Sequence, residues 1–449
     1  MRNVSAMRSL YLPTLDGFRA VAVGIVFLSH VPISELSPIP GGFGVTIFFV
    51  LSGYLITTLL VREHDRSGTV DIKAFVVRRA LRILPPLYVA LAVGVLLHVL
   101  GVVDAPDGLS GIWSQILHFS NYYVAGGGEA ILDGTEVTWS LAVEEHFYLL
   151  YPFVFALLYR RVGAARTAAF LVVVAGAVLA WRLVYAGGAV DEATFFELAY
   201  RTDFRIDSIL WGCVLALAMN PMERTARRFR AEELLLGVLA VLLAATILPQ
   251  GDWYKGTVRF TLQPVLLMGV FWIVVSNPRL LVHRVFESRP MKWLGKVSYT
   301  LYLTSHAITI VAFREIAGVG WRLDTDFRGS GIERELLVAF VVSVVGSLLV
   351  AWLMERLIER PLLGVRRRWR TAETHVPGPF DDGADQAAWF DWVPSVLPPA
   401  DGGTRSRPLD GQAIVPAPRP AVPRPGPRRP IEVPQQPATT TAGSAPLGD

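Results

Sequence analysis

The chain has 449 residues, 52% of them hydrophobic and only 18% charged, with a mean hydropathy of +0.43; this is too apolar for an ordinary soluble domain and reads as a polytopic membrane protein. The formal net charge is only +4 and no nucleic-acid-binding motif is present, so the pI near 9.2 reflects loop arginines, and no nucleic acid is expected as a partner. The single cysteine, Cys213, lies in an apolar run; no intrachain disulfide is possible, and no Cys/His spacing resembles a zinc site, so no metal is expected.

Runs long enough to cross about 30 Å of hydrocarbon fall near 15–33, 41–61, 84–103, 140–159, 167–186, 205–220, 233–249, 258–276, 297–317 and 335–357. The expectation is an all-α fold of about ten transmembrane helices, occupying 1–370. The first run is interrupted by Arg19 and lacks a small-residue cleavage site, so it is predicted to be a retained span and not a signal peptide. Arg62, Arg66, Lys73, Arg78, Arg79 and Arg82 lie between the second and third runs, Arg160, Arg161 and Arg166 between the fourth and fifth, and Arg224, Arg227, Arg228 and Arg230 after the sixth. The positive-inside rule makes these loops, and with them both termini, cytoplasmic. Arg279, Arg284, Arg289, Lys292 and Lys296, and then Arg366, Arg367, Arg368 and Arg370, continue the alternation; Arg314, Arg322, Arg328 and Arg334 run against it. The segment 103–138, with Pro106, Gly108, Gly111 and Gly126 to Gly128, reads as an external or re-entrant piece roofing the bundle. From 371 to 449 the composition turns to Pro, Ala, Gly, Thr and Asp, predicting a disordered cytoplasmic tail. Its PxxP-like spacing suits a partner domain or a plain solvated linker.

Several polar residues in the apolar runs are candidates for chemistry. Arg19 and His30 stand eleven positions apart, which returns to nearly the same helix face about 16 Å further along the axis. Either both flank a span at its two interfaces, or they share a stripe that lines an internal path. In GGFGVTIFFVLSGYLI, Gly53 reads as close helix packing, and Ser52 is free to bond across an interface. Arg79 and Arg82, three apart just before Pro85, share a helical face and suit a phosphate-bearing ligand or plain topology. WSLAVEEHFYLLYP places Glu144 on one face with Tyr148, as a structural ion pair or a catalytic or substrate-orienting group. Arg205 and Asp207 in RTDFRIDSILWG are read at the mouth of the sixth span. Ser298, Tyr302 and either Ser305 or His306 in KVSYTLYLTSHAI lie along one stripe, facing inward or serving as packing.

Taken together and in order, Arg19 and His30, FFVLSGYLI, RRALRILPPLY, WSLAVEEHFYLLYP, and VSYTLYL with the closing IERP at 358–361 resemble the membrane acyltransferase-3 family, over residues 12–365. The resemblance implies transfer of an acyl group, often acetyl, from a cytoplasmic thioester such as acetyl-CoA to a hydroxyl of a glycan, a glycolipid or a small natural product. It implies His30 as the essential histidine with Arg19 its partner, Arg79 and Arg82 as the arginine pair that binds acyl-CoA, and Glu144 as the acidic position before FYL. The family's histidine seven residues after the serine of the SY segment is Ser305 here, with the histidine displaced to His306. A one-residue step turns a side chain by about 100°, so that role is not carried over. Many relatives also carry a fused extracytoplasmic esterase-like domain, which this sequence is not expected to contain.

The expected mechanism has acyl-CoA entering from the cytosol, its phosphates on Arg79 and Arg82, and its thioester passing Arg19 to reach His30. His30 acts as general base, its ordinary pKa of about 6.5 suiting proton exchange near neutrality, or forms an acyl-histidine. Glu144 orients the acceptor or stabilises the imidazolium, with Ser52, Tyr148, Arg205, Asp207, Ser298 and Tyr302 in substrate or supporting places. The expected setting is the plasma or inner membrane, with a cell-envelope glycan or glycolipid as acceptor. The alternatives are acylation of a small natural product such as a macrolide, and a transporter or flippase whose substrate route uses the same polar residues.

Overall fold

The computed structural model of the protein describes residues 12–32, 40–105, 111–128, 131–221, 231–318, 333–362 and 365, all within the unit Met1–Trp392. The predicted tail from 371, and the loop arginines Arg224, Arg227, Arg228, Arg230, Arg322, Arg328 and Arg366 to Arg368 with Arg370, lie outside the described residues. Among the described residues the fold is all helical: α1 (Pro13–Ser29), α2 (Gly41–Ser67), α3 (Ile72–Val99), α4 (Ile112–Ile116), α5 (Ser120–Ala125), α6 (Thr138–Ala186), α7 (Glu192–Tyr200), α8 (Thr202–Ala218), α9 (Glu232–Ala245), α10 (Asp252–Gly256), α11 (Arg259–Ser276), α12 (Val282–Phe286), α13 (Arg289–Ala317) and α14 (Glu333–Met354), the last ending in a π-turn, Glu355–Glu359.

Five helices among the described residues are long and apolar enough to cross a membrane: α2, α3, α6, α11 and the stretch Arg334–Leu362 that contains α14. Two of the predicted runs fall on α6, whose 49 residues, at 1.5 Å each, exceed twice the hydrocarbon thickness. The helix is broken at Gly163, with φ 75° and ψ 177°, a conformation close to glycine-only. Four more predicted runs fall on α1, α8, α9 and α13. The first two have 17 residues each, shorter than the ~20 a span requires, and both carry buried charge. The third run was expected to start at Pro85, but α3 begins at Ile72 and continues through Pro85 and Pro86. Its start is set by Asp71, whose carboxylate accepts from the Ala74 amide at 2.8 Å, as an N-cap does.

Helix α1 packs between α2 and α13, α13 also packs on α14, and α8 packs on both α2 and α6. The α2–α8 crossing is fixed by two facing glycines. A Cβ on Gly53 would lie 2.0 Å from the Ile209 carbonyl oxygen, and one on Gly212 would lie 2.1 Å from the Val50 oxygen. Backbone atoms cannot yield as side-chain tips do, so small residues here let the helices meet, as expected for Gly53. Gly212→Ala is therefore expected to destabilise by about 1–3 kcal/mol, read as a lower thermal midpoint of the full chain in detergent. The most apolar stretch of α2 is largely buried inside the protein, whereas those of α3, α6 and α14 face mostly outward, as lipid-contacting helices would.

Candidate active site

Five helices enclose a cavity of about 90 Å³, where ~10–15 Å³ admits one water. Arg19 lines it from α1, Ser52 from α2, Arg79 and Arg82 from α3, Ser140, Glu144 and Tyr148 from α6, and Ser298, Tyr299 and Tyr302 from α13, with apolar walls from Val45, Phe48, Leu51, Leu55, Ile83 and Leu141. Residues that the sequence offers in five separate motifs thus converge on one space. Arg79 and Arg82 sit two and three turns into α3, which starts at Ile72, and both line the cavity.

The polar contacts are mutually supporting. Arg19 Nη1 reaches Asp16 Oδ1 at 3.2 Å, one turn back on the same helix, with Asp16 itself buried. The Tyr148 hydroxyl donates to Glu144, one turn away, and lies 3.1 Å from Ser52 Oγ. The Arg79 guanidinium stands 5.2 Å from the Tyr148 ring centroid, and the charges of Arg79 and Arg82 both act on Glu144. A carboxylate and three guanidiniums inside an apolar wall are stable only as a set. The cavity is thus cationic on balance, as a phosphate-bearing ligand requires. Ser298 Oγ donates to Gly295 O of its own helix at 2.9 Å, which is a packing arrangement. Tyr299 donates to Ile83 O at 2.8 Å and ties α13 to α3.

His30 is not among the residues lining this cavity. It caps the far end of α1, where its ring stacks on that of His306 with centroids 4.1 Å apart and planes 19° from parallel. His306 Nδ1 lies 3.2 Å from Glu136 Oε2. The single stripe expected from Arg19 to His30 therefore serves two places: Arg19 the cavity, and His30 a histidine pair at the other end of the helix. The two are close along α13, because Tyr302, at the cavity wall, lies one turn before His306. Its hydroxyl is 2.6 Å from Ser140 Oγ and 3.1 Å from Val137 O, the residue after Glu136. This hydrogen-bonded layer stands between the arginines and the histidines. Beyond it, the loop residue Asp133 is held above its ordinary value by burial first, then by Glu136 and Asp104. Glu136 is the carboxylate beside His306, while Asp104 pairs with Arg314 at 3.2 Å. Tyr302→Phe removes the layer's phenol and is expected to cost about 1–3 kcal/mol, measured as a drop in thermal midpoint, while leaving the two sites in place.

Arg205 and Asp207 lie in the first two turns of α8 and are not among the residues lining the cavity. They are 1% and 0% exposed in the interior of the α2, α6, α8 and α11 contact, away from the cavity wall. Asp207 Oδ2 accepts from Arg182 and from Thr261 Oγ1 at 2.6 Å, and Arg205 Nη2 donates to Thr46 Oγ1 at 3.3 Å. Sequence reasoning missed Arg182, Ser140 and Glu136, and left His306 without a role. For Arg182 the one available signal is an arginine inside an apolar run, which normally faces inward.

The apolar helices close on an arginine-rich cavity beside a buried histidine pair, and the chain belongs to an acyltransferase family: the family model described as an acyltransferase domain matches residues 12–356. Among similar proteins, the peptidoglycan O-acetyltransferase OatA of Listeria monocytogenes is 30% identical over 330 residues, 69% of this chain and 51% of the relative. The putative peptidoglycan O-acetyltransferase YrhL of Bacillus subtilis is 32% identical over 67% of this chain and 49% of its own length. The O-acetyltransferase OatA of Staphylococcus aureus is 30% identical over 67% of this chain and 51% of its own. The chain thus spans about half the length of these relatives. No solved structure matches it.

Proposed function

We propose that this protein is a plasma-membrane O-acetyltransferase that moves an acetyl group from acetyl-CoA to a hydroxyl of a cell-envelope glycan. The observation that carries the reading is the convergence of Arg19, Arg79 and Arg82 with Glu144 and Tyr148 on one cavity, a helical turn of α13 away from the stacked His30 and His306. The names of the peptidoglycan O-acetyltransferases it resembles support the acceptor class and the acetyl group.

In this reading the donor phosphates rest on Arg79 and Arg82, where forked guanidinium donors meet phosphate oxygens, and the thioester arm extends past Arg19 and the Tyr302 layer towards His30. His30 takes the proton of the acceptor hydroxyl, whose oxygen forms its bond to the thioester carbonyl carbon. The carbon–sulfur bond breaks, and the CoA thiolate leaves with a proton. Glu136 Oε2 stands 3.2 Å from His306 Nδ1, on the His306 side of the pair. Glu144 fixes the Tyr148 hydroxyl and offsets the arginine charge between turnovers, a placement closer to donor support than to the acceptor role expected from sequence.

Membranes containing the full chain, given acetyl-CoA labelled in the acetyl group, are expected to place label on envelope glycan in an ester that mild base removes. Label that stays on CoA while unmodified glycan crosses the membrane would overturn the reading in favour of transport, and label on a small soluble acceptor would replace the glycan.

A further inference from the structure

Outside the cavity, the largest fully buried side chains among the described residues are two arginines, Arg182 and Arg205. Arg182, in the second half of α6, is 0% exposed, and Arg205, in the first turn of α8, is 1% exposed. Both guanidiniums gather at one phenyl ring: the Arg205 Cζ lies 3.7 Å from the Phe260 centroid and the Arg182 Cζ 5.9 Å. A third, Arg259, stands 5.9 Å from the same ring and is half-buried. The fully buried carboxylate among them is Asp207, which is bound through one oxygen to Arg182 and Thr261. Two fully buried positive charges therefore face one negative charge, and Arg259 adds to the surplus.

Like charges do not share a dry interior without compensation, because desolvating a guanidinium costs several kcal/mol unless its donors are paired. Here they are not all paired. Arg182 Nε and Nη1 and Arg205 Nε are buried and make no hydrogen bond among the described residues, and neither does Asp207 Oδ1. The Phe260 face attracts cations but gives no acceptor to their N–H groups. What the cluster lacks is one negative charge that accepts from several guanidinium N–H donors.

We propose that Arg182 and Arg205 bind a small monovalent inorganic anion of the chloride class at their unpaired guanidinium N–H groups. The full burial of Arg182, Arg205 and Asp207 restricts the ligand to a monatomic ion or one of similar size, since a glycan carboxylate or a nucleotide phosphate brings a body that such a site does not admit. One bound anion brings the fully buried charge to zero. The ion would lock α6, α8 and α11 together, and through Thr46, which Arg205 contacts at 3.3 Å, the start of α2.

The test uses the full chain purified in detergent with gluconate as the sole anion. Adding chloride or bromide is expected to raise the thermal midpoint saturably, as binding to the native state alone must, while equal gluconate does not. Asp207→Asn enlarges the surplus and is expected to tighten half-saturation roughly tenfold, and Arg205→Gln, which removes it, is expected to abolish the dependence. If Arg205→Gln does not fold, bromide anomalous diffraction from wild-type crystals decides, with a peak expected within hydrogen-bond distance of the Arg182 and Arg205 nitrogens. Equal effects of chloride and gluconate, unchanged chloride dependence in folded Arg205→Gln, or no bromide peak at the pair would each overturn the proposal. The readouts are stability and ion position, so a failure here leaves the acetyl-transfer reading untouched, and loss of that reading leaves this one standing.

Discussion

His30→Ala protein is expected to fold and to bind acetyl-CoA normally, yet to transfer acetyl roughly 10²–10⁴-fold more slowly, the range that a positioned general base supplies. The expectation rests on where the ring sits. His30 stacks on His306 at 4.1 Å and takes no part in the arginine cavity, so its loss should reach kcat and leave donor KM alone, the pattern of an interaction made only in the transition state. In the proposed mechanism His306, whose Nδ1 lies 3.2 Å from Glu136 Oε2 and whose ring stacks on His30, would act through His30 as a positioning residue. His306→Gln is therefore expected to lower kcat by a smaller factor, about 10–100-fold, and to shift the acid limb of the pH–rate profile, which a purely structural change would not do. Equal turnover of wild-type and His30→Ala protein, with thermal midpoints matched, would remove the histidine from the mechanism.

The second large effect is expected at the arginine pair. Arg79→Ala and Arg82→Ala should each raise the KM for acetyl-CoA about 10–100-fold with little change in kcat, because a hydrogen bond to a charged group contributes ~1.5–3 kcal/mol. With both guanidiniums on one ligand, as proposed, the double variant should lose less than the product of the two factors. Lysine at either place should restore only part of the affinity, since an ammonium supplies the charge without the fork. Arg79 also stacks on Tyr148 at 5.2 Å, so its variant should disturb the Tyr148–Glu144–Ser52 set more than the Arg82 variant does. A donor KM indifferent to both changes, measured on folded protein, would sink the phosphate assignment.

The parts of this site that are close along one helix were readable in advance. Arg79 and Arg82 are three apart and Glu144 and Tyr148 four apart, and helical geometry alone makes each pair neighbours; the structure joins Tyr148 to Glu144 as that spacing requires. His306 was not readable in this way. Displacement by one residue left the family histidine's role uncarried, with either Ser305 or His306 on the stripe, and the structure buries both, at 1% and 2% exposure, because α13 lies between α1 and α14. A helix with neighbours on two sides buries a face wider than a single stripe, so a 100° step leaves the side chain inside. The apolar run marked by Pro85 and Pro86 does not show where α3 starts: Asp71 caps the helix fourteen positions before Pro85.

What the sequence by itself determined was the all-helical fold and the residues that share a face within one helix, because apolar runs and a 3.6-residue period are properties of the chain read locally. What only the tertiary structure decided was which helix ends meet: His30 with His306 across α1 and α13, Arg182 with Asp207 across α6 and α8, and the separation of Arg19 from His30 into two places. Those pairings follow from the packing of helices far apart in sequence, set by contacts such as Gly53 against Ile209, and no periodicity in a single segment encodes its partner.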